Sequence, residues 1–558
     1  MDFNYLADLL FPNVNMTPEE LEAKYPERNL PEGAKVTRFA PSPTGFVHFG
    51  GMFPVTVGER LAHQSGGVFY LRIEDTDAKR EVEGAAEALI ETLAHYGVTF
   101  DEGAVSGGDR GDYGPYRQSE RADIYHVYAK KLVQDGRAYP VFSTDEELSE
   151  LATADKKAQI KSTDWEATAT ARREAMVKRR EFTVEGVEEE LKKGRKFALF
   201  AIADGDPEKK IKITDLVRGT LEIPENDEDV VVLKSDGIPT YHFAHAVDDH
   251  LMRTTHVVRG EEWLPSLSKH LMLFRYLGFR APKYMHISQI MRLDDEGNKK
   301  KLSKRDMGAN MDDYKRLGYA PACVNEYVMT LLNSSFEEWR MANTDKPIGD
   351  YQFNIKKMSA SGCLFDIVKL SDVSKNVISR MTADEVYSGL YGWAAEFDPE
   401  FAAELADEPE FAKAIISIGR GGKKPRKDYG TWVELRDYMK FFYDKYFSIE
   451  DRYPEKFDKN LIASVLSDFL DSYDHADTSD VWFGKVKAIT DKIGFASDMK
   501  AYKADPDAFG GNVADVSMFI RVAVTGKQNA PDLYTVMHIL GSERSISRIK
   551  NMITDLTE

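Results

Sequence analysis

The sequence predicts an α/β protein with a doubly wound, Rossmann-type parallel sheet, an inserted domain and a mostly α-helical C-terminal region. Three observations predict this fold class. Short apolar strands alternate with amphipathic helices over residues 35–97. A longer and more polar stretch, residues 120–235, separates them from another strand pattern at residues 255–263. Apolar residues then recur at helical spacing over the last ~170 residues.

The first elements follow the order of a parallel sheet. Residues 35–40, KVTRFA, predict a buried strand, and residues 52–64 predict a helix with Pro54 in its first turn. Residues 67–75, GVFYLRIED, predict a second strand ending in carboxylates. A further helix, ending at Gly97, is predicted from apolar residues at helical spacing: Val82, Ala86, Leu89, Ile90 and Leu93.

The remaining segments are assigned more coarsely. Residues 1–34, rich in Asn, Pro and Glu, predict a mobile N-terminal extension. Residues 165–196 predict a charged helical stretch, and residues 214–224 and 229–251 predict a return to strands. Two C-terminal amphipathic helices are predicted from Trp432, Leu435, Met439 and Phe442, and from Leu461, Val465 and Phe469.

Composition excludes several classes of protein. The chain has 558 residues, of which 42% are hydrophobic and 30% charged, as in a globular protein of several domains. No apolar run approaches the ~20 residues that span a bilayer, and the first residues lack the positive charge of a signal peptide. We therefore expect a cytoplasmic protein with no membrane partner. Two cysteines are too few for a disulfide framework or a cysteine-built metal site.

Basic residues are clustered although the net charge is −19. An acidic total argues only mildly against nucleic acid, because binding depends on the local field of one face. Each cluster alone is more often a solvated face, but several clusters spread over three apparent domains favour a long polyanion. The clusters are residues 178–180, 192–196, 209–212, 299–305 and 419–427.

The loop FAPSPTGFVHFGG, residues 39–51, is the first candidate for chemistry. Gly50 and Gly51 would let a flat ring or a phosphate approach the backbone, and the following helix would direct free N–H groups at an anion. His48 could donate to a phosphate oxygen, although a bare HxGG is more often a structural turn. A second candidate is KLSKR, where Lys301 and Lys304 could act as paired cations or belong to an ordinary surface.

These motifs together resemble class I aminoacyl-tRNA synthetases, in the bacterial-type form of the glutamyl-tRNA synthetase family. PSPTGFVHFGG is similar to the first nucleotide motif and KLSKR to the second. RIEDTD, QSERADIY, DLVRG, YHFAHAVDDHL and VVRGEEW occur between them in the family's order, and residues 521–541 resemble the end of its anticodon-binding region. The resemblance covers residues 36–555.

The resemblance implies a glutamate–tRNA ligase that uses ATP with Mg²⁺, L-glutamate and tRNA(Glu). It implies catalytic roles for His48, Lys301 and Lys304. ATP contacts are implied for Ser42, His48, Gly50, Gly51, Glu262, Trp263 and Lys304. Glutamate contacts are implied for Arg38, Ala40, Ser42, Glu74, Tyr241, His245 and Arg259. A guanidinium suits a carboxylate better than an ammonium does. Arg38 alone would be interpreted as an ordinary salt bridge at a strand end, but its position just before the PSP turn favours the ligand role.

By the same resemblance the chain divides into six parts. We expect an N-terminal extension (1–34), two halves of a Rossmann catalytic domain (35–117 and 230–279) with an inserted connective, acceptor-binding domain (118–229), a stem-contact region with KLSKR (280–385) and a helical anticodon-binding region (386–558). A monomer is the expected state.

The chain departs from the family pattern in four places. His245 stands where asparagine is common, so a packing role is as well supported as a substrate contact. Val141 and Ser143 replace the Cys-x-Cys of a zinc knuckle, so no zinc is expected and no metal-ligating residue is assigned. FDIVKLSDVSKN lacks the family's tryptophan, and the extension together with residues 396–428 makes the chain unusually long.

Several rival functions share parts of this pattern. Glutaminyl-tRNA synthetase usually carries HIGH instead of the HFGG found here, and RGEEW also favours glutamate. A truncated relative that glutamylates a modified base would lack the helical C-terminal half, and a generic nucleotidyltransferase would lack the tRNA-binding tail. A catalytically silent RNA-binding homologue would be expected to lose His48 or Lys304. Charging of tRNA(Gln), the anticodon contacts and the role of residues 1–34 stay open.

Overall fold

A computed structural model describes residues 1–77, 82–142, 173–294, 296–302 and 308–558. The chain forms two compact units. The first, called the sheet unit below, comprises residues 1–314 and 324–367. The second, called the helical unit, comprises residues 315–323 and 368–558. No helix in the described residues is long and apolar enough to cross a membrane.

The strands, in chain order, are β1 (Val36–Phe39), β2 (Val68–Leu71), β3 (Glu102–Val105), β4 (Gly108–Arg110), β5 (Ala138–Val141), β6 (Ala198–Ala201), β7 (Lys210–Asp215), β8 (Gly219–Pro224), β9 (Val230–Leu233), β10 (His256–Gly260), β11 (Lys283–Ile287), β12 (Ile290–Leu293), β13 (Lys299–Lys301) and β14 (Cys363–Leu364). Up to residue 342 the helices are α1 (Phe3–Leu10), α2 (Pro18–Lys24), α3 (Met52–His63), α4 (Ala85–His95), α5 (Ala122–Gln134), α6 (Val184–Lys192), α7 (Tyr241–Leu251), α8 (Leu267–Tyr276), α9 (Met311–Arg316), α10 (Pro321–Leu332) and α11 (Phe336–Ala342). Beyond it they are α12 (Ile367–Arg380), α13 (Ala383–Phe397), α14 (Pro399–Asp407), α15 (Pro409–Ile416), α16 (Trp432–Met439), α17 (Lys459–Ser472), α18 (Ser479–Lys492), α19 (Met499–Ala504), α20 (Val513–Thr525) and α21 (Leu533–Thr557).

The predicted parallel sheet is the centre of the sheet unit. β1, β2 and β3 are parallel neighbours, and β4 pairs antiparallel with β3. β10 and β11 form a second parallel pair, and the N–H of Thr255 donates to the carbonyl of Val36 at 3.0 Å, so β10 starts beside β1. The chain therefore changes direction across the sheet between β1 and β10. Such a switch point is where open α/β sheets bind ligands, beyond the carboxyl ends of the strands.

Close packing of α3 on β1 and β2 fixes the first βαβ unit. The helix buries Phe53, Val55 and Leu61, and the Thr37 hydroxyl on β1 donates to the carbonyl of Gly58 at 2.8 Å. A Cβ at Gly58 would lie 2.9 Å from the Phe69 ring, so only glycine admits this approach. The smaller sheets are β5–β6–β9, β7–β8 and β13–β12–β14.

The expectation of a mobile extension over residues 1–34 is wrong. Residues 3–10 and 18–24 form α1 and α2, with Leu6, Ala7 and Leu21 buried. Thr17 begins α2 with a reciprocal capping box. Composition hid these helices, because α1 buries only three apolar residues and α2 only one.

The strand prediction for residues 229–251 holds only for β9. Residues 241–251 form α7 instead, because Phe243, Ala244, Val247 and Leu251 recur at helical spacing and are all buried. Of the predicted charged helix 165–196, residues 165–172 lie outside the described residues; residues 173–179 are helical and α6 covers 184–192. Val82 precedes α4 and is 51% exposed, so it is not part of that helix's buried stripe.

The helical unit has one continuous apolar core, as the helical spacing predicted. Trp432, Leu435 and Met439 on α16 and Val465 and Phe469 on α17 all belong to it. The stretch 396–428 contributes α14 and α15, which bury further residues in the same core: Phe401, Leu405, Ile415 and Ile416.

Candidate active site

The loop after β1 is held in place by His48 and Phe49. His48 Nδ1 accepts the N–H of Gly50 at 2.9 Å, which caps the single 3₁₀ turn Phe49–Gly51 before α3. Phe49 is fully buried and stacks on Tyr314 with ring centroids 5.4 Å apart. The N–H of Phe49 also donates to Ala309 at 2.7 Å. His48 thus orients the turn through Nδ1.

A cavity of about 270 Å³ opens beside this turn. It is lined by five predicted site residues: His48, Gly50, Gly51, Glu262 and Lys301. An added Cβ at Gly51 would make an ordinary contact with the Phe39 ring at 3.9 Å, whereas one at Gly50 would lie 3.0 Å from His48 Nδ1 and crowd the ring that caps the turn. Lys304 lies outside the described residues.

The end of β10, RGEEW, requires a glycine at position 260 because of where the Glu262 side chain lies. A Cβ at Gly260 would overlap the Glu262 carboxylate, so glycine is needed for the carboxylate to fold back over the end of β10. Glu261 accepts the N–H of Gln289 at 3.0 Å and pairs with Arg218. Trp263 does not line the cavity; its ring lies 4.2 Å from the Tyr241 ring, between centroids.

A second, more buried cluster gathers the residues predicted to contact glutamate. Tyr241 begins α7, and its pKa is raised by burial and by the charge of Glu74, while Arg259 and Arg38 oppose the rise. The charges of Glu74, Arg259 and Arg38 therefore all act on the Tyr241 hydroxyl. Ser42 Oγ donates to the carbonyl of Glu74 at 2.8 Å, joining the loop after β1 to the end of β2.

Arg259 is the least compensated charge in this cluster. It is 5% exposed and donates from Nε to His286 Nε2 at 3.0 Å and from one terminal nitrogen to His270 Nδ1 at 3.1 Å. Its other terminal nitrogen is buried and has no hydrogen-bond partner among the described residues. Neither partner is a carboxylate. A buried guanidinium held in this way is prepared for an anionic ligand.

Arg38 and Glu74 differ from Arg259 because each has a charged partner. Arg38 is 4% exposed, and its Nε donates to both oxygens of Asp249 at 3.2 and 3.3 Å. Glu74 accepts from Arg72 at 3.1 Å, and burial raises its pKa to about 7 against the opposing charges of Arg72 and Arg38. Glu74 is thus poised to change charge near neutral pH.

His245 is wholly buried inside the cluster. Its Nδ1 lies 2.8 Å from Asp249 Oδ2, one helical turn away on α7, and its Nε2 lies 3.1 Å from the Tyr284 hydroxyl. Burial lowers the pKa of His245 to about 4, so the ring is neutral at pH 7. Both ring nitrogens face protein groups, which favours the packing role over a substrate contact.

Comparisons with known proteins show the family of this chain. The family described as tRNA synthetases class I (E and Q), catalytic domain, matches residues 35–372. The chain belongs to this family. An anticodon binding domain matches residues 426–553.

The relatives that match over their full length are named glutamate–tRNA ligases. The chain is 46% identical to a glutamate–tRNA ligase of Acetivibrio thermocellus, covering 99% of this chain and 100% of the relative. It is 44% identical to one of Clostridium perfringens, with coverage of 99% and 100%. Among solved structures, a glutamate tRNA ligase from Elizabethkingia meningosepticum in complex with its amino acid matches with a TM-score of 0.71 and 27% identity, covering 94% of this chain and 99% of that one. The α/β fold with a helical C-terminal region is that of the family, and the family uses ATP.

Sequence reasoning missed the charges that support the cluster. Arg72 is fully buried and donates to Asp249 at 2.7 Å, and Arg121 donates to Asp248 at 2.7 Å. Burial disfavours the charged form of Asp249, but Arg38 and Arg72 outweigh it and hold its pKa well below the ordinary value. The sequence contained one indication of these charges. VFYLRIED predicts a buried strand, and an arginine within such a strand is rarely buried without a charged partner.

Proposed function

We propose that this chain acts as a glutamate–tRNA ligase: it activates L-glutamate with ATP and transfers the glutamyl group to the 3′ end of tRNA(Glu), releasing AMP and pyrophosphate. Relatives named for this ligase activity match the chain over their full length. The observation on the site that supports glutamate as substrate is Arg259, a buried guanidinium with no carboxylate among its described partners.

Glutamate carries two carboxylates and one ammonium, and the cluster offers the complementary charges. In this proposal Arg259 and Arg38 bind the carboxylates and Glu74 accepts the α-ammonium. Ala40, Ser42, Tyr241 and His245 complete the pocket wall, with His245 acting through packing. A substrate carboxylate would supply the counter-charge that Arg259 lacks. This ion pair should contribute more binding free energy than an exposed pair, because Arg259 is already removed from water.

ATP would occupy the cavity beside the His48 turn. Gly50 and Gly51 would admit the adenosine, Glu262 would help to hold it, and His48, Lys301 and Lys304 would face the phosphates. Ser42 and Trp263, which do not line this cavity, would contact the part of ATP that extends beyond it. The α-carboxylate of glutamate attacks the α-phosphorus, pyrophosphate leaves, and the terminal ribose of tRNA then attacks the adenylate carbonyl. This chemistry needs positioning and cations that spread negative charge, with no protein nucleophile.

Mg²⁺ would enter with ATP. The part of the chain that the structure describes contains no group of three or more His, Cys, Asp or Glu side chains arranged to hold a metal. Phosphate oxygens would therefore be its principal ligands, as is usual for Mg²⁺ on nucleotides. When bound, the ion neutralises charge on the phosphates.

The six-part division remains our proposal for how tRNA is bound. Residues 118–229 would contact the acceptor end, residues 280–385 the stem and residues 386–558 the anticodon, around a catalytic domain formed by 35–117 and 230–279, with 1–34 as the extension. We further propose that the working enzyme is a monomer in the cytoplasm. Sedimentation of the purified protein tests the monomer.

Charging of purified tRNA isoacceptors with labelled glutamate tests the function directly. We expect transfer to tRNA(Glu), and Arg259→Ala should lower kcat/KM for glutamate by about a hundredfold to a thousandfold, because substrate loses a buried charged partner. Arg137→Ala is the matched control, since Arg137 is 47% exposed and pairs with Asp204. Near-normal kcat/KM in the Arg259 variant would contradict the assignment of Arg259, and an absence of charging by the unaltered protein would contradict the function.

A further inference from the structure

The orientation of Arg259 depends on a chain of side chains that reaches back to the β7–β8 turn. Asp215 Oδ1 accepts the N–H groups of Val217 and Arg218, each at 2.9 Å, which leaves Oδ2 free to face β11. Oδ2 accepts the N–H of His286 at 3.0 Å and lies 2.7 Å from His286 Nδ1. Asp215 and His286 are both almost fully buried.

These contacts fix the tautomer of His286. Hydrogen bonds from His286, Arg218 and Val217 outweigh the burial of Asp215 and lower its carboxyl pKa, so the carboxylate is charged and accepts. His286 Nδ1 must then carry the proton, and Nε2 presents a lone pair to the Arg259 Nε–H at 3.0 Å. Burial lowers the pKa of His286, which keeps the ring neutral.

His270 holds Arg259 from the opposite side by the same means. Its Nδ1 accepts from Arg259 at 3.1 Å, so its proton resides on Nε2, which lies 2.9 Å from His242 Nδ1. Burial lowers the pKa of His270 well below its ordinary value. Arg259 is therefore fixed by two neutral acceptors. Carboxylates in these positions would orient it equally well but would also neutralise it and compete with the substrate.

We propose that Asp215 and His286 are positioning residues that aim Arg259 at a carboxylate of glutamate while leaving its charge uncompensated. The inference rests on the proposed function, in which Arg259 binds glutamate. It assigns to the DLVRG turn a part in amino-acid selection, because the turn sets the tautomer of His286 and thereby the acceptor that Arg259 meets.

Two substitutions at His286 test separately the two hydrogen bonds that its ring makes, one to Asp215 and one to Arg259. The amide of His286→Gln can place an oxygen near the Nε2 position and keep the bond to Arg259, but it leaves Asp215 without its side-chain donor. The amide of His286→Asn can place a donor near Nδ1 and keep Asp215 satisfied, but it removes the acceptor for Arg259. We expect KM for glutamate to rise about tenfold to a hundredfold in the Asn variant and only a few-fold in the Gln variant.

KM for ATP is the internal reference in the same assay, and it should stay within about twofold in both variants because neither bond touches the ATP cavity. Thermal unfolding shows whether each variant is folded. His63→Asn serves as the control, since His63 forms a His–Asp pair with Asp101 on the surface at 3.1 Å. Equal KM values for glutamate in the Asn and Gln variants, or a larger rise in the Gln variant, would overturn the proposal. The proposed function is tested separately, because it depends on charging of tRNA(Glu) by the unaltered enzyme.

Asp215→Asn tests the same step from the other end and serves if His286→Asn does not fold. The amide oxygen can keep the turn, but its NH₂ then faces His286 Nδ1 and drives the proton to Nε2, which confronts Arg259 with a donor. KM for glutamate should rise at least as much as in His286→Asn, with KM for ATP unchanged. An unchanged KM for glutamate in a folded Asp215→Asn enzyme would overturn the proposal.

Discussion

In the sheet unit, Arg38, Arg72, Arg121, Asp248 and Asp249 are each at most 4% exposed. The helical unit, all of whose residues are described, buries a single charged side chain, Arg548. Its core is otherwise aliphatic and aromatic, with small polar side chains such as Thr490 and Thr525 bonded to the backbone of their own helices. The helical unit is folded with only one buried charge. Stability alone therefore does not explain the many buried charges of the sheet unit.

We attribute this difference in buried charge to what each unit would bind. A buried charge costs several kcal/mol of desolvation, and its partners only roughly repay that cost. An apolar core of the same volume would be at least as stable. In the sheet unit the charges converge on α7 and the ends of β1, β2 and β10, where the amino acid would lie. We infer that the sheet unit bears this cost so that Arg38, Glu74 and Arg259 are preorganised for a charged substrate.

The largest effect is expected from removing one carboxylate of the buried network. Asp249→Asn would leave Arg38 and Arg72 each without their closest anionic partner in a site closed to water. We expect the free energy of unfolding to fall by about 3–5 kcal/mol, as when one member of a buried ion pair is deleted. Chemical denaturation followed by circular dichroism measures it.

Asp444→Asn is the matched substitution in the helical unit. Asp444 accepts from Arg548 at 2.7 Å but is 63% exposed, so water replaces the lost oxygen. A cost below about 1 kcal/mol is expected. If the two aspartates cost the same to remove, the contrast between the units would not lie in buried charge.

The apolar spacing of the sequence predicted much of the fold and little of this network. The strands β1, β2 and β10 were foreseeable as short, continuous apolar runs that are buried along most of their length. The helices α3, α16 and α17 were foreseeable from apolar residues at helical spacing. α1 and α2 were not, since a composition rich in Asn, Pro and Glu resembles that of a mobile segment. α7 was mistaken for a strand because its polar residues, His245, Asp248 and Asp249, face inward and break the amphipathic pattern.

The site was predictable only as far as motifs reach. PSPTGFVHFGG and RGEEW named residues that the structure brings into one cavity. Asp249 lies 211 positions from Arg38 and 177 from Arg72 in the sequence, and nothing in local spacing pairs them. Positioning residues such as His286 are invisible for the same reason, because their role depends on a partner in another element.

A core truncation in the helical unit gives the next effect. Leu466 on α17 is fully buried in the apolar core. Leu466→Ala should lower the free energy of unfolding by about 2–5 kcal/mol, through lost burial and the cavity left behind. KM for glutamate should be unchanged at a temperature where the variant is folded, whereas Asp249→Asn should raise it. A shift of KM in the Leu466 variant would show that the two units do not divide stability and substrate binding in this way.

An effect with an unusual sign is expected at Glu74. Its pKa of about 7 in the folded protein lies above the ordinary 4.5, so ionisation is easier in the unfolded chain. Stability from the neutral form is complete below pH 4.5 and is lost as pH rises through 7. Glu74→Gln, which does not titrate, should therefore be more stable than the unaltered protein at pH 8 by about 3 kcal/mol and equal to it near pH 4.

Glu22 provides the opposite case in the same unit. Burial opposes its ionisation, but hydrogen bonds from Arg253 and His250 outweigh that and lower its pKa. Glu22→Gln should therefore lose stability at pH 8, where the carboxylate is charged, and lose less as pH falls. Urea denaturation of both variants at the two pH values measures the signs. If Glu74→Gln gains stability at pH 8 and its KM for glutamate rises, this carboxylate is retained for the substrate at a cost in stability. If Glu74→Gln loses stability at pH 8, Glu74 belongs instead to the structural ion pairs.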